Sequence, residues 1–307
     1  MNQVAADPPL SDCNNDQVWS VKSPGNVAVA DSSFVSFLNC SFRHLGGAGL
    51  DFTRVTDSLI SDSLFEDISG SAIQLGSFTP TINSTTPVNP PCKGFADGSK
   101  GTLIRPTSAV NSFSAPCFST CSKSAQKQDV RNVVRNSIVR SAALEYRGAA
   151  GINLGYTQNC TLHHNDVSNL TYVGITVGWG WSRHECASCT NAGGNNISYN
   201  RVHDYKQVLN DGGGIYMLGP QNSSVIHDNY VYDQHTSSSG ALYPDEGSAY
   251  SKWYHNVVSN IRGSKWLHLW TKSIHNITVE NNFVDTAKFL NHGTNCPMIN
   301  NHVFKVR

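Results

Sequence analysis

The chain has 307 residues, and its 22 basic residues balance its 22 acidic ones, with only 14% of side chains charged. That balance argues against a nucleic-acid partner, where a basic excess is expected. No apolar run is long enough to span a bilayer as a helix, and the abundance of Asn, Ser, Gly and Thr favours strands and turns over helices.

Taken in chain order, the strand signals repeat. A pair closing on an apolar residue recurs at Gly49-Leu50, Ala72-Ile73, Gly151-Ile152, Gly174-Ile175, Gly214-Ile215, Ala241-Leu242, Trp266-Leu267 and Phe289-Leu290, with spacings of 23, 79, 23, 40, 27, 25 and 23 residues. The two long spacings read as one rung plus an insertion. Upstream of these pairs stand runs such as Ile197 to Asp204, Val225 to Asp233 and Ile277 to Asp285, of the form apolar-x-x-Asn-x-apolar-x-Asp. Short alternating runs broken by Asn or Asp are strands joined by tight turns, because Asn tolerates the left-handed conformation. Three short strands in every 23–27 residues predict an all-β chain, a right-handed parallel β-helix of the pectin-lyase-like solenoid type.

The first rungs run from about residue 26 to 76, and regular rungs resume at Val130. Between them, a loop of about residues 77–127, rich in Pro, Ser and Thr, carries Cys92, Cys117 and Cys121 and reads as disulfide-tied. A second inserted loop, about 179–195, holds Trp179, Trp181, His184, Cys186 and Cys189. The whole, 1–307, is read as a single domain. At the end, Asn300-Asn301-His302-Val303-Phe304 looks like the start of another rung with no polar cap. Solenoid ends need a cap, so a fragment of a longer chain is expected, or self-association or a partner at that end.

Nine cysteines and seven Asn-X-Ser/Thr sequons, at Asn39, Asn83, Asn159, Asn169, Asn196, Asn222 and Asn276, favour a secreted, disulfide-bearing glycoprotein. No leader is visible in the first residues, which adds to the expectation of a fragment. Cys186-x-x-Cys189 beside His184 is at most half of a zinc site, so no metal is expected. Neither a phosphate-binding loop nor a Gly-x-Ser-x-Gly elbow is present, and no cofactor is expected.

The chemistry gathers in two stretches. Asn210-Asp211-Gly212-Gly213-Gly214-Ile215-Tyr216 places a carboxylate before three glycines and an aromatic strand; Ala241-Leu242-Tyr243-Pro244-Asp245-Glu246 repeats the strand with its acids on the far side. Glycosidic cleavage uses two carboxyl groups, about 5–5.5 Å apart for retention and roughly 6.5–9.5 Å for inversion. Rungs about 4.8 Å apart can supply either. A turn at the glycines is needed to bring Asp211 over the same face as Asp245 or Glu246; otherwise Asp211 merely caps a turn. Trp179, Trp181, Tyr216, Tyr243 and Trp270 are candidates for stacking on sugar rings. Trp266 divides evenly between core and groove. His184, His268 and Lys272 are candidates for hydroxyl contacts.

The stretches from Gly174 to Ser182, Gln207 to Tyr216 and Leu242 to Ser248 resemble the parallel β-helix glycoside hydrolases. The resemblance is closest to the α-L-fucosidase and xylanase family 141, with the β-xylosidase family 120 as relatives. It covers about residues 130–300. It implies that Asp211 is one catalytic carboxylate and that Asp245 or Glu246 is the other, acting on a polysaccharide or oligosaccharide. Two other readings remain beside it: a non-catalytic structural or glycan-binding solenoid, and a polysaccharide lyase.

Overall fold

The computed structural model describes residues 22–77, 128–179 and 192–305. Residues 78–127 and 180–191 of the two inserted loops, with Trp181, His184 and Asn83, lie outside the described residues. Among the described residues there are no helices, and three all-parallel sheets of nine strands each wind into a right-handed parallel β-helix.

One sheet carries the strands Gly25–Ala30, Ala48–Thr53, Ile73–Leu75, Ile152–Leu154, Ile175–Gly178, Ile215–Leu218, Gly240–Pro244, Lys265–Leu269 and Leu290–Asn291. Its register joins Leu50, Ile73, Ile152, Ile175, Ile215, Leu242 and Leu267 in one inward row. This is the row expected from the spacings, apart from its last member. Leu290 pairs with His268 and not with Leu267, a slip of one residue. All seven residues of the row are fully buried. Burying each stabilises the coil by about 1.5–3 kcal/mol relative to exposure. Trp266 belongs to the same core.

The corners explain the Asn-rich motif, and they correct its reading. In each rung the second sheet takes strands such as Asn196–Ser198 and the third takes strands such as Arg201–Tyr205; at the corner between them, the left-handed residue is the one before the motif's Asn. It is Tyr199, Asp228, His255 or Asn281, each with φ between 53° and 56°. The Asn itself, Asn200, Asn229, Asn256 or Asn282, turns inward and is fully or almost fully buried. The Asn229 amide donates to Ile197 O at 2.9 Å and to Asn256 Oδ1 at 3.0 Å. Its oxygen accepts from the backbone N–H of Asn200 at 3.0 Å and from the Asn200 amide at 3.0 Å. Asn165 begins this amide ladder and Asn301 extends it to the last described rung. Each amide satisfies corner backbone groups that are otherwise buried without partners.

The same geometry weakens two sequence inferences. Asn39, Asn159, Asn169 and Asn276 all sit at left-handed corners, so turn geometry alone accounts for Asn at four of the sequons. Cys40, Cys160 and Cys296 are free thiols, not disulfide partners. Each directly follows a left-handed corner Asn, in the place where other rungs put an inward Ser or Asn. Burial pushes the Cys160 thiol up to about 12, so it is unreactive.

Replacing Asn229 by Ala would leave buried donors and acceptors on two neighbouring rungs without partners. Asn229→Ala is expected to cost about 2–4 kcal/mol, read as a lower urea midpoint. A loss under about 0.5 kcal/mol would show that water replaces the ladder at no cost.

Candidate active site

The outward row of the same sheet forms the floor of the site. From rung to rung it reads Asp51, Gln74, Asn153, Thr176, Tyr216 and Tyr243, and His268, one residue after the inward Leu267, continues it. Tyr216 and Tyr243 lie with ring centroids 5.1 Å apart, and Tyr243 lies 4.7 Å from the His268 ring. Tyr156, Tyr172, Trp179 and Leu218 pack with the two tyrosines into a second apolar cluster outside the main core. Trp179 is only 4% exposed, so it supports this floor from within and is not an open stacking platform.

The three glycines give Asp211 its position. Gly212 takes φ +78°, and a Cβ on it would meet Val173 at 2.4 Å. At Gly213 a Cβ would fall 2.7 Å from Gly240 O and 2.8 Å from Ala241 O. The chain thus turns at these glycines, where the sequence called for a turn. Residues 206–209 are held by backbone hydrogen bonds to the segment 170–172 below, and Gly214 donates to Ala241 O at 2.8 Å. Asp211 is exposed at the mouth of the site, while Asp245, which follows the strand on the next rung, is 4% exposed.

The two acids have different surroundings. Asp245 is fixed at both oxygens: the Tyr216 hydroxyl donates to Oδ2 at 2.5 Å and the Trp270 indole N–H donates to Oδ1 at 2.6 Å. Trp270 is 41% exposed and forms part of the rim. Asp211 has its pKa raised, first by the desolvation of its surroundings and then by the charge of Asp245. The charge of Asp245 acts on Asp211. Glu246 is half-buried in the turn that follows.

Burial, with the charges of Asp211 and Asp245, raises Tyr172, Tyr216 and Tyr243 above the ordinary tyrosine value. They remain protonated hydroxyls able to donate. Burial lowers His268, so its imidazole is neutral at neutral pH. Among the described residues, no group of three or more His, Cys, Asp or Glu is arranged to hold a metal ion.

Sequence reasoning missed Tyr172 and Lys206. Tyr172 had a signal: aligning Gly174 with Gly214 sets Tyr172 opposite Gly212, whose Cβ position lies 3.0 Å from its ring. Lys206 had none, since nothing in its sequence neighbourhood distinguishes it from a surface lysine.

No protein-family model and no curated protein matches the chain. Among solved structures, one described as a glycoside hydrolase aligns with 90% of this chain at 22% identity and a TM-score of 0.58. This chain spans 38% of that protein's length. At this identity the likeness establishes the fold alone. PfbA, a surface adhesin of Streptococcus pneumoniae, aligns with 92% of this chain and 63% of its own, at 15% identity and a TM-score of 0.45. That likeness is too remote to bear on function.

The close approach at Gly213 gives a direct check. Gly213→Ala forces two backbone carbonyls to move and is expected to cost about 1–3 kcal/mol in denaturant melts. The near-UV circular dichroism from the neighbouring tyrosines should change with it. An unaltered melt and spectrum would mean that the strands do not approach so closely.

Proposed function

We propose that the chain is a glycoside hydrolase working through Asp211 and Asp245 on an extracellular polysaccharide or oligosaccharide. The observation that carries this is the asymmetry between the two carboxyl groups. One is pinned by two donors, and the other has its proton affinity raised by burial and by its neighbour's charge. Paired acids with divergent surroundings are how such sites separate an acid from a base or nucleophile.

In this reading Asp211 is the general acid. Its O–H proton passes to the glycosidic oxygen as the C1–O bond breaks. Asp245 either bonds C1 itself, before water replaces it, or takes a proton from the water that does so. In either case the water's oxygen and one of its protons end on C1 as the new hydroxyl, and its other proton returns to Asp211, directly in the first route and by way of Asp245 and solvent in the second. Tyr243 and His268 line the floor, and Trp270 offers a face to a sugar ring. Trp181 and His184 are assigned to the same groove from the sequence alone. Families 141 and 120 are the proposed relatives, and secretion the proposed location.

Two other readings are weaker. A lyase needs a base facing the substrate; the buried Lys206 ammonium is turned into the fold and bonded to three acceptors. A non-catalytic glycan-binding solenoid gains support from the burial of Asp245, and the same experiment decides it.

A panel of aryl glycosides and cell-wall oligosaccharides supplies the substrate. Asp211→Asn and Asp245→Asn are each expected to lower kcat on the best substrate by about 10²–10⁴-fold, while Glu246→Gln stays near wild type. Wild-type turnover in the double variant Asp211→Asn, Asp245→Asn would end the hydrolase reading. Binding without turnover in the wild type would favour the non-catalytic solenoid.

A further inference from the structure

Lys206 follows the strand Arg201–Tyr205 and is completely buried, an unusual place for an unpaired lysine. Its ammonium donates to Gly212 O at 3.2 Å, to Ser238 O at 2.5 Å and to Ser239 Oγ at 2.7 Å. Its own backbone N–H donates to Tyr172 O on the rung below at 2.7 Å. The Ser239 hydroxyl contacts Gly212 O at 2.6 Å, and the Ser238 hydroxyl donates to Asn210 O. The side chain thus joins two consecutive rungs at the loop that carries Asp211, and the backbone N–H ties the residue to a third. No carboxylate accepts from it, although a buried charge ordinarily has such a partner.

We infer that Lys206 is a positioning residue that clamps the Asn210–Gly212 loop to the following rung and places a positive charge beside Asp211. This rests on the reading of Asp211 as the acid. The clamp fixes the loop because three carbonyl or hydroxyl oxygens from two segments converge on one ammonium. The charge acts because the ammonium itself is buried in the fold, where Coulomb terms are stronger than in water.

The groups facing Lys206 are few. Asp211 lies on its own loop; Ser238, Ser239 and the lowered, neutral His268 come from the following rungs, together with Lys265; neutral Tyr172 lies below. Desolvation pushes Lys206 down to about 7, with Lys265 acting in the same direction and Asp211 opposing. The Lys206 charge in turn lowers Asp211, against the larger raising effects of burial and Asp245. As pH rises through the Lys206 value, the charge is lost and Asp211 binds its proton more tightly.

A carbon-13 NMR titration of the Asp211 carboxyl in the full chain, with the resonance identified by its loss in Asp211→Asn, tests this without a substrate. The wild-type curve should show the main step of Asp211 and a smaller one near pH 7, where Lys206 discharges. Lys206→Met should remove the smaller step and move the main one to higher pH. Lys206→Arg, which keeps its charge at all these pH values, should remove the smaller step and leave the main one in place. A single step in the wild type overturns the inference, even where Lys206→Met fails to fold. On a substrate that the wild type cleaves, folded Lys206→Met should lose about 10–100-fold in kcat with little change in KM; an unchanged kcat also overturns it. If no glycoside is cleaved but the two-step titration appears, the hydrolase reading fails and the coupling of Lys206 to Asp211 stands.

Discussion

Everything in this molecule depends on the inward amide at the corner between the second and third sheets. A coil that turns three times per rung must bend its backbone where no strand partner is available. The bend is made by a residue in the left-handed region, even by Tyr199 at φ 56°, a conformation that bulky side chains resist. The following Asn then supplies from its side chain the hydrogen bonds that the bend removes. Because each amide bonds the next, from Asn165 through Asn200, Asn229, Asn256 and Asn282 to Asn301, one rung cannot slide against another without breaking the row.

A fixed register turns a linear pattern into a site. Thr176, Tyr216, Tyr243 and His268 share an outward row only because Ile175, Ile215, Leu242 and Leu267 share the inward one. Burial then sets Asp245 inside the fold among neutral donors, while Asp211 stands at the mouth. In such a setting, bonding to Tyr216 and Trp270 separates Asp245 from Asp211, although the two residues are chemically identical. The buried ammonium of Lys206 offsets part of the repulsion between them.

The sequence made the coil plain because the repeat is written in residues whose role is local. An aliphatic residue at each strand start and an Asn at each corner act within their own rung, and their spacing carries the register directly. The last strand departs from it: Leu290 settles opposite His268, and no inward neighbour on a further described rung holds it to the row. The carboxylates were legible as a pair because glycines flank one and an aromatic strand precedes the other. The bonds that hold Asp245 to Tyr216 and Trp270 could not be read from sequence, because alternation does not give the direction of a side chain after the strand ends at Pro244. Trp179 stood between glycines as an open platform should, but the floor tyrosines packed over it. Lys206 was invisible because its partners, Gly212, Ser238 and Ser239, offer only carbonyls and a hydroxyl, and such groups leave no charge pattern to read.

Asp211 and Asp245 come from consecutive rungs, with no inserted loop between the strands Ile215–Leu218 and Gly240–Pro244. Their spacing along the axis is therefore gauged by a single step of the coil, about 4.8 Å. The long insertions fall at other joints, before Gln128 and before Ala192. Evolution can lengthen, exchange or delete those loops, and so re-tool what the surface recognises, without altering the gauge. An insertion between residues 218 and 240 that added a full rung would instead change the separation of the acids by a whole step. The coil thus behaves as a ruler with discrete graduations: its edges can drift continuously, while the axial offset between the rungs of Asp211 and Asp245 can change only in jumps.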